Sequence, residues 1–463
     1  MSQDNYASFE GWSDAEHRIE QAHDFYDNGQ WQEALRELQA AIEINPSNSN
    51  WHFNKGLTLD TLGRYHDAIE AFEQAHDLNP SDPESLNCLG VDYTRIGQYD
   101  LALKTFEKLE EISPDFEPGY CNRIITYSEM GRHDEAEQMF YLARQLKEHC
   151  PLCYYNIGNS LFSRQIYDRA IWCWRQTRDL DPNHPQIEYR IGQAYWAKSE
   201  YTMAKKHFLA ELCHSPGDVE VLIDTGILML EMNELESARE KFNRVLELDP
   251  DKPQAHHYLG ELNLHSGQLA RAVECFHHAL KLNPGQNGSH FRLAQCYLKM
   301  AQIANAREHL LLEMRLSPDQ PEILLELGCL LEDVSAKNEA INCFERAIEA
   351  CPDDPRGYHN LSLCYYRMGL IEQGIELSLH VLELQPTHKL ALHNLALAYH
   401  QGHKYEKARQ YIQLAHDLSP DDQQIEKLKR TITFLSTIHR IVRPGQRIFS
   451  GIKRKFRRHR VCG

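Results

Sequence analysis

Eleven prolines, at 46, 80, 114, 182, 216, 250, 284, 318, 352, 386 and 420, stand 34 residues apart, with a single gap of 68 where Glu148 takes the missing slot. A period held this strictly means that one supersecondary unit recurs, and that each copy must bury its apolar face against its neighbours. The register divides the chain into a lead of 1–14 and twelve units: 15–48, 49–82, 83–116, 117–150, 151–184, 185–218, 219–252, 253–286, 287–320, 321–354, 355–388 and 389–422. No insertion breaks it. Length alone, 463 residues, would suggest about three domains, but a repeat array runs past that bound as one architecture.

Inside a unit the same residue types return to the same places. Position 20 is Ala in eleven units and Gly374 in the other, and position 8 is Gly at 56, 90, 158, 192, 226, 260 and 328 and Ala at 22, 294 and 396. Position 24 is large, as at Phe72, Phe106, Phe140, Trp174, Phe208, Phe242, Phe276 and Phe344. Small residues on two facing helices let their backbones approach, and the aromatic fills the wedge beside them. Glycine at position 15 (29, 63, 97, 131, 267, 369) suits a left-handed helix end, and the proline at position 32 follows a helix it cannot continue. Each unit is therefore expected to be two antiparallel helices. The fourth unit, with Ile124 at the small slot, and the eleventh, with Ser362 and Ser378, depart furthest and are expected to pack more loosely.

This pattern resembles the tetratricopeptide repeat family over residues 15–422. The resemblance implies an all-α fold, an α-solenoid in which tandem helix hairpins wind into a right-handed superhelix. The exact period of 34 differs from the 35 of the RNA-reading pentatricopeptide relatives. A terminal unit needs a closing face, and 423–442 places Ile425, Leu428, Ile432, Leu435 and Ile438 at helical spacing, as a capping helix would. Pro444-Gly445 then stops it.

The family resemblance further implies that positions 2, 5, 6, 9, 12 and 13 of each unit line a groove for an extended peptide. Position 6 is asparagine at Asn54, Asn122, Asn156, Asn360 and Asn394, and a row of amides can hold a peptide backbone whatever its sequence. This is similar to the asparagine ladder of the nucleocytoplasmic glycosyltransferase that adds N-acetylglucosamine, although here the ladder is broken and the 41 residues after the last repeat cannot hold that catalytic domain. The densest candidate patch is Tyr155, Asn156, Asn159 and Phe162 with Tyr189, Arg190, Gln193 and Trp196, aromatics and amides of the kind that anchor peptides. Some of these rings are equally expected to pack between repeats. No unit has Lys at position 5, so the clamp for chaperone C-terminal carboxylates is absent. Groove acids (Glu16, Glu20, Asp224, Glu231, Glu261, Glu322, Glu326, Glu332, Asp333) favour a neutral or basic protein segment and disfavour nucleic acid there.

Catalytic and metal signatures are few and fall within the repeat. Cys150-Pro151-Leu152-Cys153 looks like a redox pair or half a zinc site, but Pro151 occupies position 1, shared with Pro83, Pro185, Pro253, Pro321 and Pro355, where a proline suits the first helical turn. With no second Cys-x-x-Cys, a repeat seam is the expected reading, and the thirteen cysteines read as free thiols of a reducing cytosol. His256-His257 and His277-His278 offer too few ligands on one face for a metal. No catalytic motif stands out from the repeat, so neither an enzyme nor a cofactor is expected.

Charge is segregated. The net balance of −18 comprises an acidic chain up to Glu426 and a final 37 residues with twelve Lys or Arg and no acid. Arg440, Arg443, Arg447, Lys453, Arg454, Lys455, Arg457, Arg458 and Arg460 interleave with Ile448, Phe449, Ile452 and Phe456, as in segments that lie on anionic membranes. The tail, 443–463, could equally grip nucleic acid or fold onto the acidic repeats. With no secretory h-region and no long apolar run, the expectation is a cytoplasmic scaffold that can sit peripherally on a membrane.

Overall fold

A computed structural model of the chain describes residues 3–147, 149–286, 288–316 and 320–437, with side chains from Ser13 onward. The basic tail with all nine of its candidate residues, and the last part of the expected capping helix at 438–442, lie outside the described residues. Every one of the twelve units contains two helices, from Gln3–Asp27 to Tyr405–Leu418, a further helix follows at 423–437, and there is no strand among the described residues. The first helix begins at Gln3, so the expected lead is a backward extension of the first unit.

The chain divides into two compact units, Met1–Asn233 and Glu234–Gly463. The core of the first is built on Phe72, Phe106, Phe140, Trp174 and Phe208, and that of the second on Phe276, Leu310, Phe344 and Ile412, each ringed by the buried alanines of position 20. A side chain of this size contributes about 3 kcal/mol when fully buried, so the ring of each repeat dominates its local stability.

The small slot meets that ring directly. A Cβ added at Gly56 would lie 2.5 Å from the Phe72 ring, at Gly158 2.5 Å from Trp174 Nε1, at Gly192 2.4 Å from Phe208 and at Gly328 2.5 Å from Phe344. The pairing is graded by volume: each unit with glycine at position 8 has Phe or Trp at position 24, and the three with alanine have Leu38, Leu310 or Ile412. Cavity and filler are thus matched within one repeat.

The eleventh unit reverses this arrangement rather than loosening. Tyr366, from its first helix, lies against Gly374 on the second, where a Cβ would come within 2.5 Å of the ring. The Tyr366 hydroxyl and Ser378 Oγ, at the vacated position 24, are 2.9 Å apart. The ring has changed helices, which the sequence reading missed. In the fourth unit Ile124 is fully buried, and Phe140 sits edge-on to Tyr154 of the next unit at 5.3 Å.

All twelve helix-to-helix turns adopt the same left-handed residue. Six are the glycines at position 15, and six are Gln165, Ser199, Asn233, Ala301, Ser335 and His403, with φ between 55° and 62°. The turn geometry is imposed by packing, not chosen by glycine, and the non-glycine residues bear its steric cost.

Position 1 prolines open the first helices at Pro83, Pro151, Pro253, Pro321 and Pro355 as expected, but Pro185 does not. That helix starts at Ile187, after Gln186 at φ 60°. A buried carboxylate explains the shortening: Glu211, on the partner helix, accepts the Tyr189 backbone N–H at 3.2 Å. The ninth unit repeats the device, Glu313 accepting from Gly288 N–H at 3.3 Å and Phe291 N–H at 3.1 Å at the head of Ser289–Lys299. Both glutamates occupy position 27, where the other units carry Ala, Leu, Thr or Val. A polar residue in an apolar slot was the overlooked signal.

The helix at 423–437 closes the second unit, with Ile432 fully buried and Ile425 nearly so beside Leu392, Leu395 and Ile412. Its outward side is not wholly polar, since Phe434 is 65% exposed.

Two stability changes follow. Gly192→Ala is expected to destabilise the sixth repeat by about 1–3 kcal/mol despite alanine's helix preference, because the ring and the Ala204 carbonyl oxygen, 3.3 Å from the new Cβ, must both give. Ala301→Gly should stabilise by roughly 0.5–1 kcal/mol through relief of the left-handed turn. Urea unfolding with residue-resolved hydrogen exchange checks both.

Candidate functional site

The groove positions are connected by a side-chain ladder with a fixed stride. Tyr189 O–H donates to Asp224 at 2.6 Å, Trp196 Nε1–H to Glu231 at 2.7 Å, and Arg367 to Glu332 at 2.7 Å, each pair 35 residues apart. Asn122 Nδ2–H donates to Asn87 Oδ1 at 2.8 Å and Asn156 Nδ2–H to the Cys121 carbonyl at 3.2 Å with the same separation. Arg95 and Asp60 form another such pair. Positions 5 and 12 of one repeat thus join positions 6 and 13 of the next. Two groove acids are engaged outside that stride: Glu261 accepts from Arg292 at 2.7 Å, and Glu322 pairs with Arg356 at 3.4 Å. Burial pushes the Asp224 carboxyl above its usual range, with Tyr189 and Gln193 hydrogen bonds opposing.

The predicted patch in the first unit lies on two successive first helices, Pro151–Ser163 and Ile187–Ala197. Tyr155, Asn156, Asn159, Phe162, Arg190, Gln193 and Trp196 are half-buried, whereas Tyr189 is buried. Tyr155 rests on the His184 ring at 4.5 Å, Phe162 packs on Trp174 and Tyr167, and Arg190 donates to Gln193 at 3.2 Å. Asn54 contacts His23 Nε2 at 3.1 Å, and Asn394 is half-buried on the helix Lys389–Gln401, so these two and Asn122 stand on helices apart from the patch.

Asn360 belongs to a different feature, a cavity of about 650 Å³ in the second unit. Glu322, Glu326, Cys329, Arg356 and His359 line it with Asn360, over a floor of Phe291 and Leu325. These come from positions 2, 5, 6 or 9, whereas Leu330 and His388, which also line the cavity, do not, so the groove register identifies most of the lining; of it, the sequence points to Asn360 and the two glutamates alone.

The cysteines depart most from expectation. Glu117 and Cys121 share a face of the helix Glu117–Glu129, four residues apart, and both meet Cys150, the last residue of the same repeat, and Cys153 from the next. Cys121 and Cys153 are joined as a disulfide, and Cys150 Sγ lies 3.5 Å from Cys121 Sγ. Among the described residues ten others are free. The seam reading of Pro151 stands, but the free-thiol reading is corrected for this pair. The search for a second Cys-x-x-Cys overlooked the helical Glu-x-x-x-Cys one repeat earlier. Cys150 caps its helix, its sulfur accepting the Cys153 N–H at 3.2 Å. Burial, then Glu117, nevertheless pushes that thiol up to about 11, opposite to a reactive thiolate.

The histidines form packing contacts rather than a ligand set. The His256 and His278 rings meet at a tilt with centroids 4.2 Å apart, and His257 Nδ1 pairs with Ser289 Oγ at 2.7 Å. His277 contacts the Tyr297 hydroxyl at 3.0 Å, and His290 and His309 share a hydrogen at 2.8 Å between their Nδ1 atoms. Burial, then His290 and His277, lowers His309 to about 4; burial, then His388, lowers His359 to about 4. Both are neutral when folded and bind protons near 6.5 when unfolded, so the unfolded chain takes up more protons between those values. Stability of the second unit should therefore fall as pH drops from about 6.5 to 4. Thermal melts across that range check the slope, which His359→Gln should flatten.

A family model described as tetratricopeptide repeat matches residues 19–83 and 55–115. One described as anaphase-promoting complex, cyclosome, subunit 3 matches 231–311 and 334–415, and one described as YpiA-like C-terminal tetratricopeptide repeats matches 185–252. No curated protein matches the sequence. Among solved structures, the APC/C hetero-tetramer Cut9–Hcn1 is 15% identical, covering 90% of this chain and 96% of that one at a TM-score of 0.40. Yeast Tom70 is 15% identical over 95% of this chain and 97% of its own, at 0.39. YrrB, described as a repeat protein with an unusual peptide-binding site, is 20% identical over 41% of this chain and 97% of its own, at 0.37. None of these superpositions supports a residue-to-residue correspondence.

Proposed function

Because the chain belongs to the tetratricopeptide-repeat family, we infer that it is a non-catalytic interaction scaffold that holds an extended segment of another protein along its first helices. The observation that carries this reading is the run of half-buried aromatics and amides on Pro151–Ser163 and Ile187–Ala197, whose rings pack against the core on one side and keep part of their surface open. Tyr155, Phe162 and Trp196 present ring surface, and Asn156, Asn159 and Gln193 present amides that can meet a peptide backbone. The carboxylates of Asp224 and Glu231 behind the rings favour a neutral or basic segment. Tyr189 serves as a buried support for the patch.

Selection of extended peptides from a display library against the full-length protein tests this. Neutral-to-basic sequences are expected, and Trp196→Ala and Asn156→Ala should each weaken binding of a selected peptide about tenfold or more by calorimetry, with helicity unchanged. Undiminished binding to both variants would place the site elsewhere.

The segregation of charge favours a second reading, a peripheral adaptor whose tail grips an anionic membrane while the repeats carry a protein. Co-sedimentation with anionic liposomes should then be lost when the chain is cut after residue 439. Equal, negligible binding by both forms removes it.

A further inference from the structure

We propose that Glu117, Cys121, Cys150 and Cys153 form a zinc site that bridges the fourth and fifth repeats when the Cys121–Cys153 pair is reduced. One oxygen and three sulfurs lie within 4.8 Å of one another. Glu117 Oε1 is 3.1 Å from Cys121 Sγ and 3.6 Å from Cys153 Sγ, and the two sulfurs of Cys121 and Cys150 are 3.5 Å apart. Ligand atoms at tetrahedral zinc stand about 3.5–3.8 Å from one another, from bond lengths of about 2.0–2.3 Å. The cluster is therefore close to the size the ion demands.

Donor accounting points the same way. A disulfide between Cys121 and Cys153 carries no proton, so only the Cys150 thiol can donate to the Glu117 oxygen that faces all three sulfurs. A disulfide alone has no need of a third cysteine and a carboxylate, whereas a cation satisfies all four. The three sulfurs are nearly or fully buried, and Glu117 has 16% of its side chain exposed. A soft three-sulfur set with one carboxylate, closed to water, is of the structural zinc class.

The surroundings also fit. The sulfur of Cys150 accepts the Cys153 N–H, and Lys147 Nζ stands 3.9 Å from the second Glu117 oxygen. Such outer partners orient ligands and offset charge. The site also ties together a repeat that lacks the small residue at position 8, since Ile124 is one turn beyond Cys121. Opening the disulfide takes two electrons and two protons, supplied by a dithiol that is itself oxidised to a disulfide, or by a phosphine with one water, whose oxygen leaves as the phosphine oxide and whose protons go to the two sulfurs. Binding of Zn²⁺ then expels the three thiol protons to solvent and leaves three thiolates and one carboxylate on the metal.

The test uses the full chain reduced with excess phosphine and titrated with Co²⁺, then Zn²⁺. One equivalent of cobalt should give thiolate-to-metal charge transfer in the near ultraviolet and the intense visible bands of a tetrahedral ion, and zinc should displace it. Cys150→Ser should abolish the charge transfer, and Glu117→Gln should weaken affinity about 10–100-fold. Because a variant can misfold, hydrogen exchange of the unmutated chain is followed in parallel. Zinc should protect 117–125 and 150–157 above other repeats. A reduced chain without the cobalt spectrum, equal binding by Cys150→Ser, unchanged exchange in those segments, or a disulfide that stays closed under phosphine would each overturn the proposal.

Discussion

The contact on which the repeats depend is the approach of a bare helical backbone to the face of an aromatic ring. At Gly56, Gly90, Gly158, Gly192, Gly260 and Gly328 the ring sits where a methyl group would otherwise stand. That proximity sets the spacing of the two helices, and the spacing sets the turn, which is left-handed at every position 15 whether or not glycine is there. Close packing leaves little room for independent variation, so where position 8 gains a methyl group, at Ala22, Ala294 and Ala396, position 24 falls to Leu or Ile, the fourth repeat with Ile124 and Phe140 being the exception. The eleventh repeat shows that the requirement is for one ring and one gap, not for a ring on a particular helix.

Much of this architecture could be read from the chain. The prolines, small slots and aromatics pointed to paired helix hairpins and the all-helical class, because these features answer to local rules. The departures arose where a side chain from one helix acts on another. Glu211 and Glu313 shorten the helices after Pro185 and Gly288 by accepting their leading N–H groups, a relation spanning more than twenty residues. Tyr366 could be mistaken for a groove residue because its partner, Gly374, occupies a slot that is alanine elsewhere.

The candidate site was legible in its register and not in its bonding. Positions 2, 5, 6 and 9 do line the cavity of the second unit. What single-residue reading could not supply was the stride of 35 that couples position 5 to position 6 and position 12 to position 13 of the next unit. The cysteines were misjudged for the same reason. A motif search looks along the chain, whereas Cys121 meets Cys153 across a repeat boundary.

The ladder makes recognition an exchange. The indole N–H of Trp196 already has a carboxylate, and the amide of Asn156 already has a carbonyl. On the proposed reading, a peptide that claims either group must first evict its occupant, so the net gain from that polar contact is the difference between the new hydrogen bond and the old one. Discrimination then shifts to the shape and apolar area of the rings. On that same reading each eviction would also sever a link to the adjoining repeat, so occupancy at one rung would be felt mechanically at the next.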